Sequence, residues 1–184
     1  MSKIDKETLK VFDKLEKLNP EAKFLSESAL STVNSWVDTG CMVLNSIISG
    51  SLYGGVPVGR ITGFAGPSAA GKTYIINKIL ANGQKQGMVP VIFDTEAAID
   101  ASSTTGVGLD PAGVKYVPVQ TVEECRNQIS AFLDGVIEAK MQGKFILSID
   151  SLGNLASQKE IDDAEKGKTA MDMGTRAKGL KSMM

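Results

Sequence analysis

Histidine is absent from all 184 residues. That excludes a histidine-dependent catalytic triad and a zinc site built on imidazole. Cysteine is scarce: Cys41 and Cys125 stand far apart, without metal-ligand spacing. Each falls among apolar residues at helical spacing, so both read as small buried hydrophobes in a reducing compartment. No apolar run approaches the roughly 18 residues of a membrane span, and the N-terminus lacks a signal-peptide apolar region. The expectation is a cytoplasmic chain with no membrane partner. The formal net charge is only −1, so nothing global announces a polyanion partner, although a local basic patch stays open. The length is about one domain's worth, enough to bury a substantial core.

What is present is Gly66-Pro67-Ser68-Ala69-Ala70-Gly71-Lys72-Thr73: a glycine, four residues, then Gly-Lys-Thr. Glycine permits backbone conformations that a Cβ would block, so successive N–H groups can face one concavity. A helix that follows adds its unpaired first-turn donors and the positive end of its dipole. A triphosphate fits such a nest. Lys72 would reach the β- and γ-phosphates, and the Thr73 hydroxyl would ligate Mg²⁺. Short patterns recur by chance, so the flanks decide. Arg60 to Ala65 is an apolar run that reads as a buried strand. Ile75, Ile76, Ile79 and Leu80 fall at helical spacing, and Gly87 follows as a stop. Strand, loop, helix is the order the motif requires.

Residues 1–35 read as an N-terminal helical segment and linker. Ser2 and Asp5 have capping-box spacing, Val11, Phe12, Leu15 and Leu18 line one face, and Asn19-Pro20 ends the helix. Phe24 and Leu25 are an apolar pair in a polar setting. The helix either packs on its own domain or docks as an arm on a neighbouring subunit. Residues 36–184 form the second domain. Thr39 caps a helix through Ser49, with Val43, Leu44, Ile47 and Ile48 inward, and Gly50 stops it. Further strands are expected at Val89–Asp94, Val114–Val119 and Lys144–Asp150. Between the last two, Val122, Cys125, Ile129, Phe132, Leu133, Val136 and Ile137 mark a long amphipathic helix stopped by Gly143. Continuous apolar strands alternating with helices predict an α/β fold with a mainly parallel sheet covered on both faces. Ligands of such sheets bind beyond the carboxyl ends of the strands.

Two acids end strands there. Asp150 follows an apolar run and would hold Mg²⁺ beside Thr73, or else merely cap a turn. Glu96 would orient and deprotonate a water facing the γ-phosphate, or else is a solvated loop acid.

The ordered motifs from Trp36 to Asp150 resemble the ATPase core of the RecA recombinases, and within that family the phage recombinases of the UvsX type. The residues that carry this are Thr39-Gly40, Gly54 to Arg60, Gly66 to Thr73, Phe93-Asp94-Thr95-Glu96 and Ile149 to Ala156, continuing to Lys159-Glu160. The resemblance implies a DNA-dependent ATPase with a RecA-like P-loop core, using ATP and Mg²⁺. It implies that Glu96 is the catalytic glutamate, acting with Lys72, and that Asp100 lies near the adenine. Ala101 to Thr105 offers no aromatic for the base to stack on. It implies homo-oligomeric filaments on single-stranded DNA, joined through the N-terminal helix and the ATPase core, that pair with double-stranded DNA for strand exchange in recombination and repair. Lys166 to Lys178 corresponds to the first DNA-binding loop and its following helix, with Met173, Arg176 and Lys178 near DNA.

By the same resemblance, the second DNA-binding loop and the remaining strands lie past Met184. The chain therefore reads as the front half of a recombinase, with an incomplete sheet and with Leu180, Met183 and Met184 lacking cover. Between Gln158 and Met184 six basic residues mix with five acidic ones, so DNA binding by this length alone is expected to be poor. Two rival readings remain at this level: a hexameric helicase subunit of the same fold, and a nucleotide-binding assembly module without turnover.

Overall fold

The computed structural model describes residues 4–28, 32–97, 99–167 and 173–183. The chain divides into two compact units, Met1–Ser35 and Trp36–Met184. The first unit carries α1 (Lys6–Leu18). Asp5 is its cap: one carboxylate oxygen accepts from the N–H groups of Glu7 and Thr8, both at 2.9 Å, and the other from the Thr8 hydroxyl at 2.8 Å. The Thr8 N–H, then its hydroxyl, hold the Asp5 carboxyl below the usual carboxylate range. The other residue of the expected capping pair, Ser2, lies outside the described residues. Phe12 meets Phe24 edge-on at 5.6 Å between ring centroids, which gives Phe24 a local partner. No residue of α1 is buried, and Val11, Leu15 and Leu18 stay exposed.

In chain order the second unit carries β1 (Trp36–Val37), α2 (Met42–Ser49), β2 (Val56–Pro57), α3 (Lys72–Lys85), β3 (Val89–Asp94), α4 (Ala101–Gly106), β4 (Lys115–Pro118), α5 (Val122–Glu138), β5 (Phe145–Asp150), α6 (Gln158–Glu165) and α7 (Met173–Met183). The main sheet is parallel, in the order β4-β3-β5. Parallel strands need crossover connections; α5 supplies the one from β4 to β5, which flank β3 on opposite sides.

The central strand alternates as the pleat demands. Val91 and Phe93 pack with Val119, Val122, Cys125 and Leu155, beneath Ile129 and Phe132 of α5. Ile92 faces the other way, against Leu80, Ala81, Val107 and Leu109. Both faces are therefore covered. Burying a side chain such as Phe93 contributes roughly 1.5–3 kcal/mol. On the α3 side the approach is close, since a Cβ added at Gly83 would lie 3.2 Å from Ile146 Cδ1. Leu180 of α7 packs against the Val91–Phe93 core, which corrects the expectation that it lacks cover.

Four further sequence expectations are corrected. Residues 60–65 form no strand. Among the described residues β5 pairs only with β3, so this run finds no neighbouring ladder; Ile61 is 78 % exposed, while Phe64 packs on Val37, Val56 and Ile79. Second, α2 starts at Met42 behind Cys41, not behind Thr39. Its inward residue is the buried amide Asn45, which accepts from Thr39 N–H at 3.0 Å and the Thr39 hydroxyl at 2.6 Å, and donates to Asp38 Oδ1 and the Leu52 carbonyl. That orientation turns Val43 and Ile47 outward, 67 % and 75 % exposed. Third, Cys41 precedes the helix and is exposed; Cys125 alone is buried, which pushes its thiol up to about 11. Fourth, α5 ends at Glu138, before Gly143, with Lys140 in the left-handed region (φ 55°).

Candidate functional site

The loop from Gly66 to Ala70 is exposed and turns directly into α3. Ala69 (φ 59°) and Gly71 (φ 84°) both adopt the left-handed region, which aims neighbouring N–H groups into a common concavity. Gly71 occupies the cap position and offers no side-chain acceptor, so the first-turn N–H groups of α3 keep their donors for an external anion. Lys72 folds back over this nest, its Nζ donating to the carbonyls of Gly66 at 3.0 Å and Pro67 at 2.9 Å. A cation is thus held against the loop, next to the unpaired first-turn donors of α3.

Among the described residues one hydrogen bond ties the start of α3 to the sheet. The Thr73 hydroxyl donates to Asp150 Oδ2 at 2.6 Å. A hydroxyl whose proton goes to a carboxylate keeps its lone pairs for a cation. Among the described residues no group of three histidine, cysteine or acidic side chains forms a metal cage. A hydroxyl, one carboxylate and solvent suit Mg²⁺, which keeps several waters and takes its remaining oxygens from phosphates. The donor set therefore fits a Mg²⁺–triphosphate.

Asp94 and Asp150 are register partners at the carboxyl ends of β3 and β5, and Glu96 follows Asp94 on the connecting turn. Asp94 builds that turn. It is 2 % exposed. Its Oδ1 accepts from the N–H groups of Glu96 at 2.9 Å and Ala97 at 3.1 Å; its Oδ2 accepts from Ile99 N–H at 3.3 Å and the Tyr116 hydroxyl at 3.0 Å. Thr95 stitches the turn to β5: its hydroxyl donates to the Ser151 carbonyl at 3.0 Å and accepts from Ser151 N–H at 2.9 Å. Glu96 itself is exposed, with Oε1 accepting from Ser151 Oγ at 3.1 Å and Asn154 Nδ2 at 2.5 Å. The sequence reading includes Asp94, Ser151 and Asn154 in the family motifs but gives them no role. The available signal was position: each sits at, or just beyond, the end of an apolar strand.

Asp100 caps α4, accepting from Ser103 N–H at 2.6 Å and the Ser102 hydroxyl at 2.8 Å. The Ser103 N–H, then the Ser102 hydroxyl, hold its carboxyl below the usual carboxylate range. In the segment expected near DNA, residues 168–172 and the side chain of Met173 lie outside the described residues. Arg176 of α7 donates to the Gly153 carbonyl, and Lys178 is exposed on the same helix. Among the described residues no helix is long and apolar enough to cross a membrane.

A nucleotide nest joined at Thr73 to the end of a parallel sheet is shared by many proteins, so comparison decides the family. The model of the RecA N-terminal domain matches residues 11–183. The chain belongs to the RecA family. Its relatives include the recombination and repair protein of Enterobacteria phage T4, 35 % identical over 149 residues, covering 80 % of this chain and 37 % of that protein. The RecA protein of Chlorobium chlorochromatii is 27 % identical over 141 residues, covering 76 % of this chain and 37 % of its own length. The mitochondrial DNA repair protein recA homolog 3 of Arabidopsis thaliana is 29 % identical over 123 residues, covering 67 % and 27 %. The chain thus spans about a third of the length of these RecA-family relatives.

Proposed function

We propose that this chain carries the nucleotide site of a DNA-dependent ATPase that assembles on single-stranded DNA and promotes homologous pairing with double-stranded DNA in recombination and repair. The supporting observation is the Thr73–Asp150 bond, which sets the phosphate-loop helix against the strand end beside Glu96. The recombination and repair names of the relatives point the same way.

In this reading the loop Gly66 to Thr73 cradles the phosphates of ATP through its free N–H groups, Pro67 having none and Ala70 giving its own to the Pro67 carbonyl, and Lys72 leaves its two carbonyls to neutralise the β- and γ-phosphates. Thr73 and Asp150 would hold Mg²⁺, whose charge would offset that building on the leaving phosphate. Glu96 accepts the proton of the attacking water at its carboxylate. Asp100 stands near the adenine edge, and the DNA contacts fall to Met173, Arg176 and Lys178. The exposed apolar face of α1, with Val11, Leu15 and Leu18, is the arm that docks on the neighbouring copy.

The Glu96→Gln variant tests the chemistry. It keeps the shape of the side chain but cannot take a proton. ATP affinity by titration calorimetry should be unchanged while phosphate release falls about 10²–10⁴-fold; undiminished release moves the base elsewhere. Deleting residues 1–20 tests the arm. Assembly size by light scattering should fall at constant circular dichroism, and an unchanged size removes α1 from the interface.

A further inference from the structure

The turn after β5 touches two regions that the reading above treats separately. On one side, Ser151 Oγ and Asn154 Nδ2 both donate to Glu96 Oε1. On the other, the Arg176 guanidinium of α7 donates to the Gly153 carbonyl. Gly153 C=O and Asn154 N–H belong to one planar peptide unit. Its N–H end returns to the Ser151 carbonyl at 3.3 Å, and its C=O end is the one Arg176 grips. The turn is pinned on both flanks. Ser151 is bonded to Thr95 in both directions, and Leu155 is 0 % exposed in the core. Between these flanks runs a single 3-10 turn, Leu152–Asn154; Arg176 holds its Gly153 carbonyl and the Asn154 side chain leaves its last residue, so a displacement of the turn displaces that side chain.

Asn154 is exposed, so burial does not force its amide to find a partner. What its bond achieves is to fix Glu96. With Oε1 occupied by two donors, the carboxylate presents Oε2 to a water. We propose that Asn154 is a positioning residue for Glu96 and that Arg176, through the Gly153–Asn154 peptide, sets its position. The proposal rests on the reading of Glu96 as the base. It also assigns a direction. A phosphate of single-stranded DNA makes a charge-assisted bond to a guanidinium, stronger than that of a neutral carbonyl. Such a phosphate therefore draws Arg176 from Gly153 and shifts Glu96.

The test uses the ¹⁵N-labelled chain, with the Asn154 side-chain amide signals assigned by their loss in Asn154→Ala. Glu96→Gln and Arg176→Ala should each move those signals. A short oligodeoxythymidine, raised to saturation because this length is expected to bind DNA poorly, should move them in the direction of Arg176→Ala and should have no further effect on the Arg176→Ala variant; a saturating oligonucleotide that leaves them still would overturn the transmission. In steady-state kinetics Asn154→Ala should lower kcat about tenfold, the loss of one hydrogen bond to a charged group, with KM and Tm unchanged; Asn154→Gln should recover part of it. Asn154 signals indifferent to Glu96→Gln would overturn the positioning role. Signals indifferent to Arg176→Ala would overturn the transmission. Turnover unaffected by Glu96→Gln would instead remove the base assignment, and the amide shifts would still decide whether the strut exists.

Discussion

Asp94 and Asp150 are the same residue type at the same level of adjacent parallel strands, yet they sit in opposite circumstances. Asp94 is buried and accepts from three backbone N–H groups and a phenol. Asp150 is half-buried and accepts the Thr73 hydroxyl. A buried carboxylate persists only when its lone pairs are filled, and those of Asp94 are filled by the turn that carries Glu96. Asp94 is therefore an architectural acid. Asp150 keeps coordination capacity in reserve, which is what a metal-holding acid requires. Two acids in register teach that strand-end position alone does not assign a role; the number of donors already bound does.

The sharpest way to break the comparison is Asp94→Ala. It strands three backbone N–H groups around a buried side chain, together with one phenol that solvent partly reaches, and each unsatisfied buried group costs about 1–3 kcal/mol. After partial relaxation a loss of about 3–5 kcal/mol is expected, comparable to removing one partner of a buried charged pair. That is a large fraction of a domain's usual stability of about 5–15 kcal/mol. The urea midpoint should fall steeply, and an unmoved midpoint would show that the turn stands without its acid.

Asp150→Ala should do the reverse. It removes an acceptor from one hydroxyl that can turn to solvent, so the urea midpoint should shift by no more than about 1 kcal/mol. The Mg²⁺-dependent part of ATP affinity should fall at least about tenfold, the scale of one lost charged contact. Calorimetry with and without Mg²⁺ separates the two. Equal Mg²⁺ dependence in both proteins would make Asp150 a second architectural acid.

These two acids also mark what the sequence made legible. The phosphate loop, α3, β3, α5 and β5 are readable because their signals are local: a motif, or apolar residues at a helical or strand period. Asp150 stands out by ending such a run. Asp94 ends one equally well, but its role is set by burial and by the turn whose N–H groups fold back onto it, and neither leaves a period in the sequence. The antiparallel pair of β1 and β2 joins two-residue strands about 20 positions apart; neither is long enough to show a period. The inward face of α2 was misread because a buried amide, Asn45, outcompetes Val43 and Ile47 once Thr39, Asp38 and Leu52 satisfy it. Residues 60–65 have the composition of a strand, but a strand is a relation to a neighbour, and composition does not specify the neighbour. The latch on Glu96 is invisible for the same reason: Asn154 and Arg176 matter through partners distant in sequence.

The finest probe of the comparison is Tyr116→Phe, which removes one of the four donors around Asp94 and leaves the ring. The other three still fill the carboxylate, so the turn should keep its shape. One hydrogen bond to a charged group contributes about 1.5–3 kcal/mol when buried. Tyr116 is 41 % exposed, so solvent competes for its hydroxyl and a loss of about 1 kcal/mol or less is expected. Alkaline pH gives an independent reading. Burial first, then the bond and the negative charge of Asp94, raise the Tyr116 hydroxyl above its ordinary value of 10.0. A raised value means that the folded state holds the proton more tightly than the unfolded one. Its contribution is therefore complete below about pH 10 and is lost as pH climbs through the higher folded value. Stability measured from pH 8 upward should decline for the parent chain as this proton leaves. The phenylalanine variant should start lower and lack that component of the decline. Parallel curves for the two proteins across this window would show that the hydroxyl contributes nothing to holding Asp94, and that the backbone donors alone make it the architectural acid.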